Sequence, residues 1–498
     1  MREPFIQLTG ISKSFAGVHA LQDVDLTIYG GEIRCLAGEN GGGKSTLIKV
    51  ISGFYTPDKG QIEIGGRVFP KLTPQQAINE GIQIIYQDFS VFPNLTVAEN
   101  IALSYQRLHQ KKMVDWHALK KDAQRALDLI HIDLDLQAPV GALSVADRQL
   151  VAICRALLQD TKLLVMDEPT TALTRKEVDA LFNVVRNLQK KGISILFVSH
   201  KLEEVFEIAE ELTILRNGKK VIEGPMKDFD RQKFIFYMTG RTIETTKFVP
   251  PVIPPSSEPV LKVDHIGIKG LFKDISFELH AGEVIGITGL LGSGRSELAR
   301  ALFGLEAITS GKVYVGGETI KPGSVRDAIA HGIAYVPEDR LTEGLFLPHS
   351  ISRNIYAATI GKMLDRRGII DNDKVRKVTD DWIRELSIVT PSGQLPVQSL
   401  SGGNQQRVVL AKWLSTNPKV LILNSPTVGV DIGSKADIHA YARKLAGEGM
   451  GVIIISDDIP EVLDNCSRVL IMKKGLIVGT MDTSEMDNQA LSMKLSEA

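Results

Sequence analysis

A chain of 498 residues is too long for one ordinary hydrophobic core, so two or more domains are expected. Its 43% hydrophobic and 23% charged residues match soluble globular proteins, and a formal net charge of −1 supplies no global basic field to recommend nucleic acid as the main partner. Three cysteines, Cys35, Cys154 and Cys466, are far apart and odd in number, which fits a reducing compartment better than a disulfide framework; no close Cys/His cluster suggests structural zinc.

The first residues, MREPFIQLTG, lack the apolar run of a secretory signal. Nowhere do about 18 uninterrupted apolar residues occur, so no membrane-spanning helix is expected and any membrane is served through a partner. The strand IRCLA (33–37) leads into a glycine loop and the helical TLIKVI. A stretch of helical spacing, roughly 95–160, carries LSVADRQ (143–149). The runs LLVM (163–166) and ISILFV (193–198) are too short to span a bilayer and suit buried parallel strands. Such alternation predicts an α/β fold: a mainly parallel sheet core with a helical subdomain.

The pattern then repeats. GEIRCLAGENGGGKST (31–46) resembles GEVIGITGLLGSGRSE (282–297), which sets Lys44 on Arg295 and Gln87 on Glu338 at an offset of 251 residues. Ser144, Glu168 and His200 fall on Ser401, Ser425 and Asp457 at an offset of 257. Between the halves, KFVPPVIPPSSEP (247–259) is proline-rich and favours an extended, solvated connector. The expected organisation is two tandem nucleotide-binding domains, 1–240 and 258–498, joined by a linker at 241–257.

Gly38 to Ser45 match G-x-x-x-x-G-K-[ST]. Glycines let backbone N–H groups converge on phosphate oxygens, and the helix that follows presents its positive end. Lys44 would neutralise β- and γ-phosphate charge and Ser45 would hold Mg²⁺. The candidate nucleotide contacts of this stretch are Gly38, Asn40, Gly41, Gly43, Lys44, Ser45 and Thr46. In LLVMDEPT (163–170) an apolar strand ends in two carboxylates: Asp167 is placed to reach Mg²⁺, and Glu168 to act as general base on an attacking water.

Both halves resemble ATP-binding-cassette ATPases along nearly their whole length. The ordered residues are Lys44 and Ser45, Gln87 in IIYQD, LSVADRQ, Asp167 and Glu168, and His200 in FVSHK; in the second half LSGGNQQ (400–406) matches the family signature. The resemblance implies ATP and Mg²⁺ as ligands, Gln87 as a contact to Mg²⁺ and the attacking water, His200 as a γ-phosphate contact and Phe15 as an adenine platform. It also implies head-to-tail pairing of the halves. One site would combine Lys44, Ser45, Gln87, Asp167, Glu168 and His200 with Ser401, Gly402, Gly403 and Asp431. The other would combine Arg295, Ser296, Glu338, Asn424, Ser425 and Asp457 with LSVAD, in which Val145 and Ala146 replace the signature glycines and Thr174 stands in place of Asp431. The losses fall on one composite site, so one competent and one degenerate site are expected.

Within the family the chain is similar to tandem ATPases of monosaccharide importers (ribose, galactose or xylose), through KSFAGVHAL (13–21), GLLGSGR (289–295), PEDR (337–340), EGLF (343–346) and LSGGNQQ. LSVADRQ is also similar to importers of an autoinducer-2 type signal. The resemblance implies transmembrane permease subunits and an external or periplasmic solute-binding protein as partners. It places the chain on the cytoplasmic face of the inner membrane, associated through the permease only, with the segments after Gln87 (DFSVFPNLT) and after Glu338 as the docking surface. The alternatives are a tandem ATPase acting on ribosomes or nucleic acid, disfavoured by the short proline-rich linker, and a nucleotide-gated scaffold, disfavoured by intact Lys44, Glu168 and His200.

Overall fold

A computed structural model describes the chain apart from residues 1–2, 16–17, 89, 109–112, 172, 243–247, 249–256, 291, 321–322 and 498; most of the expected linker therefore lies outside the described residues. The chain divides into two compact units, Met1–Ile243 and Glu244–Ala498.

In the first unit the elements run β1 (Pro4–Phe15), β2 (Val18–Tyr29), β3 (Ile33–Ala37), α1 (Lys44–Ile51), β4 (Lys59–Ile64), β5 (Arg67–Phe69), α2 (Pro74–Asn79) and β6 (Ile82–Ile85). A helical layer follows, α3 (Val97–Leu108), α4 (Trp116–Ile130) and α5 (Val145–Leu157). The unit closes with β7 (Leu163–Asp167), α6 (Arg175–Lys190), β8 (Ser194–Val198), α7 (Leu202–Ile208), β9 (Glu211–Arg216), β10 (Lys219–Pro225) and α8 (Arg231–Thr239). The main sheet has the order β10-β9-β3-β8-β7-β6 and is parallel except for its β9–β10 edge. Its central strands β3 and β8 are buried at every position, which is why they are continuous apolar runs rather than alternating ones.

The expected parallel core is present. A second, antiparallel sheet in the order β2-β1-β4-β5 was not foreseen. Register shifts between Leu8 and Ile11 and between Ile11 and Lys13 break the period of two along β1, so its sequence never reads as one clean alternating strand. Ile6, Leu8 and Ile28 of this sheet pack with Leu47 and Ile48 of α1 and with Val165 and Leu196 of the main sheet in one buried cluster. That packing fixes α1, and with it the glycine loop, between the two sheets.

The second unit repeats this order: β11 (Leu261–Ile268), β12 (Phe272–Leu279), β13 (Val284–Gly289), α9 (Arg295–Leu302), β14 (Ser310–Val315), β15 (Glu318–Thr319), α10 (Val325–His331) and β16 (Ile333–Val336). Its helical layer is α11 (Ile351–Tyr356), α12 (Asn372–Glu385) and α13 (Gly402–Leu414). Then come β17 (Val420–Asn424), α14 (Ile432–Gly447), β18 (Gly451–Ile455), α15 (Ile459–Asn465), β19 (Arg468–Lys473), β20 (Leu476–Asp482) and α16 (Asn488–Glu497). The sheets again have the orders β16-β17-β18-β13-β19-β20 and β12-β11-β14-β15.

One buried ion pair is kept in both units with its cation relocated. In the first unit Arg34, 2% exposed, donates to Glu32 Oε1 at 2.7 Å, Glu223 Oε1 at 2.7 Å and Thr213 Oγ1 at 3.1 Å. Burial pushes the Glu32 carboxyl above its ordinary range, only partly opposed by Arg34. In the second unit Glu283 keeps the acid and Ile285 stands where Arg34 would be. The strand neighbour paired with Ile285, Arg468, supplies the cation instead, its Nε 2.7 Å from Glu283 Oε1. Truncating Arg34 alone strands a buried carboxylate, so Arg34→Met is expected to destabilise the first unit by about 3–5 kcal/mol in urea unfolding. Glu32→Gln added to it recovers most of that loss; additive destabilisation would contradict the pairing.

Candidate functional site

The glycine loop leaves the carboxyl end of β3 and turns directly into α1. Gly38 and Gly43 cannot carry side chains: a Cβ would stand 2.4 Å from Leu215 O at the first and 2.8 Å from Ala20 O at the second, where φ is also +105°. Gly43 is the N-cap of α1 and gives no side-chain cap, so the first-turn N–H groups of α1 are left to a ligand or solvent. Lys44 is buried, and its Nζ bonds Gly38 O at 2.6 Å and Glu39 O at 3.1 Å, curled into the loop it follows. Burial lowers the Lys44 pKa against the opposing pull of the Glu168 and Asp167 carboxylates. Asn40, Gly41 and Ser45 are exposed and Thr46 is half-buried.

Asp167 ends β7, where burial and the neighbouring Glu168 charge raise its pKa. Glu168 adopts φ 47°, a left-handed conformation unusual outside glycine and asparagine, with its N–H bonded to Val198 O at 3.0 Å. That turn aims its carboxylate at His200, whose Nδ1 lies 2.9 Å from Glu168 Oε1. Burial would raise the Glu168 pKa, but the hydrogen bond and charge of His200, with Lys44 and Lys201, outweigh it and hold the carboxyl below its ordinary value. Lys201, which sequence reasoning passed over, reaches Thr170 O at 3.1 Å and Glu204 Oε1 at 3.0 Å; its place beside His200 in FVSHK was the available signal.

Lys44, Asp167, Glu168 and His200 are thus gathered at one edge of the first unit. Gln87 follows β6 and is exposed. Phe15, 38% exposed at the end of β1, packs on Tyr55 with centroids 4.9 Å apart, so one aromatic face pairs with another ring.

The second unit keeps the backbone of this site and changes its chemistry. Arg295 donates Nη1 to Gly289 O, the counterpart of Gly38, and its Nη2 lies 3.3 Å from Asp457 Oδ2. Ser425 repeats the left-handed turn at φ 47°, its N–H 2.7 Å from Ile455 O, but presents no carboxylate. Asn424 donates to Tyr335 OH at 3.3 Å and leaves its buried Oδ1 without a partner. Glu338 accepts from Ser296 Oγ at 3.4 Å.

At the signature, Ser401 is the N-cap of α13 and accepts from Asn404 Nδ2 at 2.9 Å rather than from the helix backbone. A Cβ on Gly403 would fall 2.0 Å from Ser434 Oγ, which in turn donates to Asp431 Oδ2 at 3.0 Å. In the first unit Ser144 instead caps α5 through Asp147 N at 3.1 Å, and Thr174 caps α6 in a capping box with Glu177.

A further symmetric feature escaped the sequence reading. Buried Asn100 brackets the backbone of Phe92, accepting from its N at 2.8 Å and donating to its O at 2.9 Å. Asn354 holds Phe346 the same way, at 2.8 Å and 3.2 Å. The two rings are left 58% and 56% exposed.

Comparison with known proteins gives consistent matches. A family model described as ABC transporter covers residues 21–171 and 272–428. The ribose import ATP-binding protein RbsA of Caldanaerobacter subterraneus subsp. tengcongensis is 39% identical over 99% of this chain and 99% of its own. RbsA 2 of Rhizobium johnstonii is 40% identical over 98% of this chain and 94% of its own. A protein of Pseudomonas syringae pv. tomato named as a putative ribose/galactose/methyl galactoside import ATP-binding protein is 40% identical over 96% and 91%. A solved ATP-binding cassette of an ABC transporter in its ADP conformation matches 48% of this chain and 99% of its own, at 27% identity and a TM-score of 0.43.

The His200 bond predicts a titration. With nucleotide absent, His200→Ala is expected to raise the Glu168 pKa, read as an upward shift in its side-chain carboxyl NMR titration; no shift, or a fall, would contradict the assigned cause.

Proposed function

Because this chain belongs to the ABC transporter family as a tandem ATP-binding-cassette ATPase, we propose that it energises import of ribose, galactose or a similar monosaccharide through one hydrolytic site built on the first unit. The observation that carries the single-site reading is the contrast between Lys44, Glu168 and His200 in one unit and Arg295, Ser425 and Asp457 at the same backbone positions of the other.

The glycine loop and first turn of α1, from Gly38 to Thr46 with Asn40, Gly41 and Gly43, cradle the ATP phosphates; Lys44 leaves its carbonyl partners for the β- and γ-phosphates. The hydroxyl, amide and carboxylate oxygens of Ser45, Gln87 and Asp167 are hard donors that suit Mg²⁺ beside phosphate oxygens. Ser45, Asp167 and Gln87 would hold it there, and it would neutralise charge on the phosphates. Glu168, ionised and oriented by His200, accepts the proton of the attacking water; His200 contacts the γ-phosphate. Phe15 and Tyr55 offer the adenine platform. Ser401, Gly402 and Gly403 of the LSGGNQQ signature serve as further nucleotide contacts. The degenerate counterpart lacks both a base at Ser425 and a metal-binding carboxylate at Asn424.

No helix among the described residues is long and apolar enough to cross a membrane. The likeness of this chain to import ATP-binding proteins supports a chain that works with permease subunits, fed by an external solute-binding protein, at the cytoplasmic face of the membrane. Phe92 and Phe346, exposed on loops pinned by Asn100 and Asn354, form the permease contact.

Glu168→Gln is expected to lower ATP turnover by at least about 10²-fold while Ser425→Ala leaves it within about twofold. Substantial turnover in Glu168→Gln would overturn the single-site reading. In the native host, uptake of a panel of labelled monosaccharides is expected to collapse for one sugar with Lys44→Ala. The pair Phe92→Asp and Phe346→Asp is expected to lose that uptake while the purified chain keeps its turnover. Uptake unaffected by both sets would overturn the importer assignment.

A further inference from the structure

The two turns that carry Glu168 and His200 are joined a second time, slightly further along the chain. Lys201 follows His200 at the N-terminal end of α7, and its Nζ donates to Thr170 O, two residues beyond Glu168, at 3.1 Å. The same ammonium lies 3.0 Å from Glu204 Oε1, and Glu204 Oε2 accepts from Ser199 Oγ at 2.8 Å. Ser199 Oγ in turn accepts from Lys201 N at 3.0 Å, which closes a ring through Ser199, Glu204 and Lys201. Glu204 and Thr170 are both buried, so Lys201 is anchored at two sheltered points, one on each side of the Glu168–His200 bond.

The second unit keeps the acid of this network and loses the lysine. At the 257-residue offset Ser199, Glu204 and Thr170 become Ser456, Glu461 and Thr427, while Lys201 becomes Asp458. Thr427 Oγ1 donates straight to Glu461 Oε1 at 2.8 Å, and Ser456 Oγ donates to Glu461 Oε2. A partner for the acid comes from another helix: His439 of α14 places its Nε2 2.6 Å from Glu461 Oε1, where the first unit has the buried Phe182 of α6. Asp458 pairs with Lys435, and an ionised carboxylate has no proton to offer the Thr427 carbonyl. A cation needed only to neutralise the buried glutamate can thus be replaced from a different side. A donor needed at the Thr170 carbonyl cannot, and it stands in the unit that has the Glu168 carboxylate and the His200 imidazole.

We infer that Lys201 is a positioning residue: by tying Thr170 O to Glu204 it holds the Glu168 and His200 turns in register and so sets how Glu168 is aimed during hydrolysis. The inference lies wholly within the first unit and rests on the proposal that Glu168 is the general base. Lys201 also acts through its charge. Burial raises the Glu168 pKa, and the Lys201 ammonium joins His200 and Lys44 in lowering it.

The test uses the purified full chain carrying Lys201→Ala, Lys201→Arg, or Lys201→Ala together with Glu204→Gln. The double variant removes the buried charge and its cation together, so no unpaired acid is left to disturb folding. In Lys201→Ala, kcat is expected to fall at least about tenfold and to stay low in the double variant, with KM for ATP within about twofold of the parent and the double variant's Tm close to it. Lys201→Arg keeps donors for both a carbonyl and a carboxylate, so a kcat well above that of Lys201→Ala is expected. In nucleotide-free Lys201→Ala the carboxyl NMR titration of Glu168 is expected to move to higher pH, and the acid limb of the kcat profile to move with it. The inference is overturned if Lys201→Ala keeps its kcat, if the double variant regains it, or if arginine serves no better than alanine. It is equally overturned if lost kcat is matched by lost ATP affinity, or if the Glu168 titration stays in place. Turnover surviving in Glu168→Gln would instead defeat the general-base reading beneath it, so the two failures are told apart.

Discussion

The register of three parallel strands is the constraint on which the first unit's site depends. Leu36 of β3 and Asp167 of β7 both pair with Val198 of β8, so the three chains leave the sheet at one level. From that common edge emerge the glycine loop, the Glu168 turn and the segment bearing His200. A slip of one residue in any strand would turn its side chains to the opposite face and separate these groups. The antiparallel sheet serves the same end indirectly, by packing against α1, the helix that begins at Lys44, from its other side. Sites at the carboxyl edge of a parallel sheet draw on this geometry generally.

The internal duplication separates what the backbone needs from what the chemistry needs. Asn424 and Ile287 pair with Ile455 in the second unit, repeating the register, and Ser425 repeats a left-handed turn that costs a non-glycine residue of order 1–3 kcal/mol. The backbone of the first unit's edge is repeated where Asn424 and Ser425 stand at the positions of Asp167 and Glu168. Asp457 pairs with Arg295, whereas its counterpart His200 turns to Glu168. The Glu32 and Glu283 pairs make the same point in the core: the buried acid is constant, and its cation is drawn from β3 in one unit and from the neighbouring β19 in the other. A buried carboxylate demands a partner and is indifferent to which strand supplies it.

In each unit an exposed loop is held by long side chains bonded to its backbone. Arg155 and Lys412 hold Ser90 O and Gly344 O in the two units, while Asn100 and Asn354 fix the loops that display Phe92 and Phe346. Each uses a side chain to satisfy main-chain groups that no ladder or helix serves, giving an exposed loop a defined shape.

What the sequence by itself determined is the chemistry carried by short spacings. The order G-x-x-x-x-G-K-S makes a strand-loop-helix phosphate cradle because glycines and a helix start are local properties, and the runs LLVM and ISILFV declare doubly covered strands because burial on both faces leaves no room for alternation. The tandem repeat was legible for the same reason, as matched motifs in fixed register. Only the tertiary structure decided what depends on distant residues meeting: the bond from His200 to Glu168 across 32 positions, the reach of Arg340 to Val428 across 88, and the antiparallel sheet whose bulges hid β1. Those contacts exist through sheet register and helix packing, and no local spacing encodes them.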